Sequence, residues 1–310
     1  MSHYKVVVFG VKDTSENIIE YIHHDLCKVD LVVTIKPEVT SKNQVSGYKG
    51  LSFLTDKYGI PVYESATYKL CDEDTVKFFE ENEFDIGIVM GWQRLIPKQV
   101  LDSFKYGVFG FHGNAGYLPF GRGRSPLNWS MILGDTRFNL NLFKYDENAD
   151  SPNVFATEMF SITVHDDIRT AQYKNMISSK RLIAKLIEAY KDGNIVIHTD
   201  SKDHDSWYEK RTPADGKIDW DGRTRDIYNL IRGVAAPFPG AYCHIESSPD
   251  TEVKIWECRP FCEMLDFSMY APGEVIDVFD DKPVIRTVDG SILIDKYESS
   301  AVLKKGDILC

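Results

Sequence analysis

A chain of 310 residues is long enough for two domains at roughly 100–200 residues each, and 43% hydrophobic and 27% charged residues are ordinary for a globular protein with a sizeable core. The formal net charge of −11 weighs against a protein whose main task is gripping nucleic acid, since phosphate contacts call for a basic face, although it leaves a local basic patch open. Six cysteines (Cys27, Cys71, Cys243, Cys258, Cys262 and Cys310), with no C-x-x-C spacing and no histidine at zinc-finger distance, read as reduced thiols rather than a disulfide framework or a metal site.

Residues 1–10 run straight into an apolar strand, with no basic n-region followed by a small-residue cleavage site. No apolar run reaches the about 18 residues that a membrane span needs. The expectation is a soluble, cytoplasmic protein with no membrane partner. Residues 4–10 (YKVVVFG) have the pattern of a strand buried on both faces of a parallel sheet. Residues 15–23 read as a helix with Ser15 at its N-cap. A second strand is expected over 30–35 (DLVVTI), a helix over 51–58, a brief strand over 60–63, a helix over 72–82 and another buried strand over 85–90 (DIGIVM). Pro97 opens a short helix over 97–101, and 106–111 (YGVFGF) is a further strand. Strands alternating with helices argue for an α/β fold with a parallel sheet, whose ligands bind beyond the carboxyl ends of the strands. The loops after Met90 and after Phe111 leave such ends.

Residues 139–143 and 154–164 read as later strands. Leu182, Ile183, Leu186, Ile187 and Tyr190 recur at helical spacing, a stripe that marks core. A polar stretch over 199–212 reads as a linker between a catalytic domain over 1–198 and a C-terminal domain over 213–310. In the latter, a helix over 224–232 precedes Pro237-Phe238-Pro239-Gly240. Five short β runs follow (241–246, 252–257, 273–278, 284–287 and 292–296), which suggests a small β-barrel or an open β domain.

The segment richest in chemistry is 107–129, GVFGFHGNAGYLPFGRGRSPLNW. His112, expected just past a strand end, can exchange a proton near neutral pH or simply cap the strand. Arg122 and Arg124, beside Gly121 and Gly123, suit an anion held through charge-assisted bonds, or a solvated turn. There is no Walker P-loop, and Gly10 stands after the first strand without the other two glycines of a dinucleotide fingerprint, which argues against NAD. The acidic run 146–150 (DENAD) forms a second polar loop. If Asp150 meets His112 it favours the imidazolium; otherwise it belongs to an exposed acidic turn.

With these residues in view, the chain resembles the N10-formyltetrahydrofolate-dependent formyltransferases, a family that includes methionyl-tRNA, glycinamide ribonucleotide and sugar N-formyltransferases. His112, Leu118-Pro119, Arg122-Gly123 and Asp150 match its pattern, and the gap from His112 to Asp150 is longer than the family's by two residues inserted before Leu118. Three further stretches (RGRSPLNW at 122–129, KRTPAD at 210–215 and IRGVAAPFPGA at 231–241) are most similar to the formyltransferase domain that acts on UDP-4-amino-4-deoxy-L-arabinose.

The resemblance implies a Rossmann-like parallel-sheet domain followed by a small OB-like β-barrel. It implies N10-formyltetrahydrofolate as co-substrate, no metal, and formyl transfer to the amine of a nucleotide-linked amino sugar. His112 and Asp150 would be catalytic. Met90, Gly91, Trp92, Arg94 and Leu95, with Asp146, Glu147 and Asn148, would hold the folate, Trp92 by packing against it unless it is mere surface packing. Gly113, Arg122, Gly123 and Arg124 would meet the acceptor.

One position departs from the pattern. The family carries an asparagine two residues before the histidine, where this chain has Gly110. Asn114, in the turn after His112, is expected to supply the missing amide as a third catalytic residue. The alternatives are backbone N–H groups, water, or impaired catalysis. Initiator tRNA, a hydroxyornithine-type or peptide-synthetase-linked amine, and a folate-binding module without activity stay open. Lys36, Lys42 and Lys49 beside Glu38 form only a thin basic patch for tRNA. A homodimer also stays open.

Overall fold

In the computed structural model, residues 5–43, 45, 47–148, 150–199 and 203–310 are described. The start of the first apolar run (1–4), the side chain of Lys42, Ala149 of the acidic loop and residues 200–202 of the polar stretch lie outside the described residues. The chain divides into two compact units. The first comprises Met1–Arg122, Asn139–Met159 and Asn175–Trp207; the second comprises Gly123–Phe138, Phe160–Lys174 and Tyr208–Cys310.

The expected alternation of strands and helices is present. In chain order it gives β1 (Val6–Phe9), α1 (Asp13–Tyr21), β2 (Leu31–Ile35), α2 (Pro37–Asn43), α3 (Phe53–Tyr58), β3 (Val62–Ser65), α4 (Glu73–Glu80), β4 (Phe84–Val89), α5 (Lys98–Leu101) and β5 (Phe104–Asn114). Then follow β6 (Arg122–Gly123), α6 (Pro126–Ile132), β7 (Arg137–Lys144), β8 (Val154–Ser161), α7 (Ile168–Lys191) and β9 (Trp207–Tyr208). The main sheet has the order β3-β2-β1-β4-β5-β7-β8. Strands β1 to β5 pair in parallel, whereas β7 pairs antiparallel with β5, so the sheet is mixed rather than wholly parallel. An antiparallel neighbour needs no crossover helix, and the period-2 pattern of β7 does not distinguish the two directions.

Every residue of β1 and β2 is buried, which is why both read as continuous apolar runs. Val7, Phe9, Val33, Ile35, Phe79, Phe104 and Val108 build the core on one side of this sheet. Leu182, Ile183, Leu186, Ile187 and Tyr190 are all buried, as their spacing implies. Strand order reverses between β1 and β4, the kind of position beside whose carboxyl ends ligands bind in such sheets.

Lys12, not Ser15, caps α1. Ser15 lies within the first turn, fully buried, and its Oγ accepts from the N–H groups of Val11 (3.2 Å) and Lys12 (3.1 Å) while donating to the carbonyl of Met90 (2.6 Å). The hydroxyl ties the end of β4 to the start of α1, a tertiary contact that a local capping rule does not anticipate.

The second unit carries α8 (Thr224–Val234) and five strands, β10 (Ala241–Ile245), β11 (Ser248–Cys262), β12 (Val275–Phe279), β13 (Lys282–Thr287) and β14 (Gly290–Ser299). They form an antiparallel sheet in the order β10-β11-β14-β13-β12 over a core of Ile227, Ile231, Ile255, Val275, Ile285 and Ile294. The C-terminal tail bonds to both edges: His244 and Cys310 exchange backbone bonds at 2.9 Å, and Val275 N–H donates to Asp307 at 2.8 Å. Backbone groups that an open sheet would expose are thereby paired. Among the described residues, no helix is long and apolar enough to cross a membrane.

Candidate active site

Strand β5 is longer than its apolar run implies. His112 and Asn114 lie on it, paired in register with Asn141 and Asn139 of β7, while Gly110 pairs with Phe143. His112 is therefore within a strand rather than beyond its end. Residues in register share a face, and side chains alternate along each strand. Gly110, His112 and Asn114 thus share one face with Asn139, Asn141 and Phe143, and Leu140 and Leu142 fill the other. The N-L-N-L alternation of β7 is a strand that is polar on the side facing the histidine and apolar on the core side. Asn141 is fully buried and accepts from the Thr157 hydroxyl at 2.7 Å.

His112 is held from two sides. Its Nε2 lies 2.7 Å from the carbonyl of Gly121, and its Nδ1 lies 3.4 Å from Asp150 Oδ1. A carbonyl only accepts, so Nε2 carries a hydrogen. Nδ1 faces the Asp150 carboxylate. Only 6% of the ring is exposed. Asp150 reaches this position with a left-handed backbone, φ 51°, which aspartate tolerates better than most residues.

The turn between Asn114 and Gly121 is fastened by side chains. Asn114 Oδ1 accepts from Gly116 N–H at 2.7 Å, and its Nδ2 donates to the carbonyl of Phe120. Asn139 Nδ2 donates to Gly116 O at 2.7 Å. Tyr117 N–H donates to Asp203 Oδ2 at 2.6 Å, and Gly121 N–H to Ser206 Oγ at 2.8 Å. The stretch expected as a linker thus contributes Asp203, Ser206 and strand β9, which pairs with β6. The Asn114 amide is fully buried and committed to Phe120, next to the glycine that holds His112. One N–H of that amide therefore closes the turn.

In the loop after β4, Trp92 is not on the surface. It is 8% exposed and makes T-shaped contacts with Phe9 (6.2 Å) and Tyr68 (5.0 Å) in the core. Its indole Nε1, however, is buried without a hydrogen-bond partner among the described residues. Arg94 lies 5.0 Å over the Tyr68 ring and donates to Gln93 O at 3.0 Å, Met90 and Gly91 are half-buried, and Leu95 is exposed. In the acidic loop, Asp146 accepts from Ser151 Oγ (2.6 Å), Asn148 N–H (2.7 Å) and Asn153 Nδ2 (2.9 Å). Burial pulls its carboxyl upward, but these bonds outweigh it and hold the group below the ordinary carboxylate range. Asp146 braces the loop that presents Asp150; Glu147 and Asn148 are exposed.

The Arg122 guanidinium lies 3.6 Å from Asp205 and 5.3 Å over the Trp207 ring, while its Nε is buried without a hydrogen-bond partner among the described residues. Gly113 is buried within β5. Gly123 has φ 101°, and a Cβ there would run into the carbonyl oxygen of Tyr208, so no other residue fits without strain. Arg124 is exposed.

Two residues beside these loops carry no motif. Tyr145 follows β7 and packs its ring over Gly110. Lys12 ends the turn after β1, where burial first and Asp13 against it leave its ammonium below the ordinary range. The signal for Tyr145 was the absence of a side chain at Gly110, which shows only that space is needed.

A family model described as "Formyl transferase" matches residues 4–198, and one for the "Formyl transferase, C-terminal domain" matches residues 210–304. A methionyl-tRNA formyltransferase of Fusobacterium nucleatum is 26% identical over 99% of this chain and 100% of its own. The N-formyltransferase of Helicobacter canadensis, solved with folinic acid and dTDP-3-aminofucose, has a TM-score of 0.67 at 16% identity, covering 94% of this chain and 98% of that one. HypX of Aquifex aeolicus, solved with tetrahydrofolic acid, has a TM-score of 0.64 at 17% identity, covering 97% of this chain but 45% of that one; this chain spans a little under half its length. At such identities the solved structures speak for the fold alone. Together with the histidine–carboxylate pair at the end of β5, the two family matches show that this chain belongs to the formyl transferase family and is a formyl-transferring enzyme.

Proposed function

We propose that the chain moves a formyl group from N10-formyltetrahydrofolate to the amine of a nucleotide-linked amino sugar, with the catalytic part in residues 1–198 and residues 213–310 as an accessory β domain. The observation that carries the transfer is the His112–Asp150 pair, buried at the end of a central strand with the far ring nitrogen fixed by Gly121. When bound, the folate supplies an activated formyl group. Support for such a ligand comes from the loop after β4, where Met90, Gly91 and Arg94 are half-buried and Leu95 is exposed, beside a Trp92 Nε1 without a hydrogen-bond partner among the described residues. His112 takes the proton that the attacking amine gives up, and Asp150 holds the ring and steadies the charge. Fixing both reactants in one cleft supplies much of the rate.

The acidic total charge favours a sugar nucleotide over tRNA. Of the lysines in the thin basic patch, Lys49 is paired with Glu16, and the side chain of Lys42 lies outside the described residues. The second reading, formylation of initiator methionyl-tRNA, is favoured by the end-to-end likeness to the Fusobacterium enzyme. Incubating the protein with N10-formyltetrahydrofolate and either a panel of dTDP-, UDP- and GDP-linked 3- and 4-amino sugars or methionyl-tRNA, with mass spectrometry of the products, separates the two. A formylated sugar supports the first, and formylmethionyl-tRNA alone replaces it with the second.

A further inference from the structure

Tyr145 stands one residue beyond β7, on the face that bears Gly110, Phe143 and His112. Its N–H donates to Val108 O at 2.8 Å, which extends the β5–β7 pairing and fixes where its side chain leaves the backbone. The ring lies against Phe143, with centroids 5.1 Å apart, and passes over Gly110. A Cβ at Gly110 would lie 2.5 Å from Tyr145 Cζ and overlap the hydroxyl oxygen itself. The phenol therefore occupies the volume that a side chain at position 110 would fill, and the glycine is what admits it. His112 is the next residue on this face of β5, about 7 Å along the strand.

Tyr145 is half-buried, and its hydroxyl makes no hydrogen bond among the described residues and is not sealed from solvent. Burial first, and then the charge of Asp150, push the phenol well above its ordinary range, so it keeps its hydrogen wherever the enzyme works. A neutral O–H donor over Gly110, with no protein partner among the described residues, is open to a ligand on that face, which phenylalanine in the same space would not be.

Resting on the formyl-transfer reading, we propose that the Tyr145 hydroxyl donates the hydrogen bond that holds the formyl oxygen as it gains charge, a task for which position 110 has no side chain. In this step the amine nitrogen forms a bond to the formyl carbon, and the carbonyl π pair moves onto the formyl oxygen, where the phenol donates without giving up its proton. The pair then returns, the bond from carbon to N10 breaks with its electrons going to N10, and N10 gains one proton while the amine loses one. Tyr145 is in this sense a catalytic residue, and His112 is left to its work with protons.

The variant that isolates the hydroxyl is Tyr145→Phe, which keeps the ring over Gly110. The first readout needs no acceptor: the formyl carbonyl stretch of N10-[13C]formyl-5,8-dideazafolate bound to the wild type and to Y145F, by isotope-edited infrared spectroscopy. A hydrogen bond from Tyr145 lowers the wild-type frequency relative to the variant, with analogue affinity little changed. The second readout is turnover with the amine that the wild type formylates, where kcat is expected to fall roughly 100- to 1,000-fold, the usual cost of one such donor, with KM for the amine little changed. Identical carbonyl bands, or an unchanged kcat, overturn the assignment of Tyr145 and leave the formyl-transfer reading standing. A wild-type protein that does not bind the analogue at all overturns the folate reading and the assignment together.

Discussion

Asp150 brings its carboxylate 3.4 Å from His112 Nδ1 while its own backbone is left-handed, at φ 51°. Asp150→Asn keeps the size and much of the tolerance for that backbone but removes the negative charge beside the ring. Formyl transfer is expected to fall by about 10²–10⁴-fold with little change in the thermal midpoint. Asp150→Gly suits the backbone even better, so it should melt no lower than wild type and still be as slow as Asp150→Asn. Steady-state kinetics beside calorimetry on both variants check this; a glycine variant that retains wild-type turnover would show that the carboxylate takes no part.

Asn114 is expected to act on the turn rather than on the reacting group. Asn114→Ala leaves Gly116 N–H and the Phe120 carbonyl without their side-chain partner, and burying them so should cost about 1–3 kcal/mol of stability. Activity should fall with it, because Gly121, which holds His112, is the next residue along. Denaturant unfolding would reveal the loss. Unchanged stability with a collapsed kcat would return Asn114 to the role of direct donor.

Gly110→Asn, taken alone, drives a side chain into the Tyr145 ring and is expected to destabilise by about 1–3 kcal/mol. Paired with Tyr145→Ala, the same substitution gains room. The two changes should therefore be strongly non-additive, the double variant being more stable than the sum of the singles predicts. Strict additivity in a thermodynamic cycle would mean that the two positions do not compete for one volume.

Asp72 gives a pH-dependent contribution to stability. Burial raises its carboxyl, but the hydroxyls of Thr67 (2.8 Å) and Thr75 (2.9 Å) and the Thr75 N–H at the start of α4 (3.0 Å) outweigh it and leave the group below its ordinary value. A folded-state value lower than the unfolded one stabilises the fold above the unfolded carboxylate range near 3.9, and the benefit fades as pH falls through it toward the folded value. Asp72→Asn, which still offers one oxygen to the helix, should be less stable than wild type at pH 7, and the gap should narrow from about pH 5 downward. A gap of constant size between pH 7 and pH 3 would contradict this origin.

The succession of strands and helices, the C-terminal antiparallel strands and the loop that leaves β4 were legible in the chain, because each rests on a local pattern. A doubly buried strand reads as an unbroken apolar run, as in β1 and β2, and a helix packed on a sheet reads as the stripe from Leu182 to Tyr190. His112 and Asp150 were legible as a pair of residue types at a spacing, and Gly110 as a position where a side chain was missing. Tertiary structure decided what local patterns do not encode. Strand β7 runs antiparallel, which puts Tyr145 over Gly110; Ser15 bonds to Met90 rather than capping its helix; Trp92 turns into the core; one N–H of the Asn114 amide closes a turn; and Arg122 lies against Asp205 and Trp207. Each of these depends on where a second segment, distant in the chain, comes to lie. The physical reason is common to all of them. A side chain's partner is set by packing and strand register, and a register is fixed only when the whole sheet has formed.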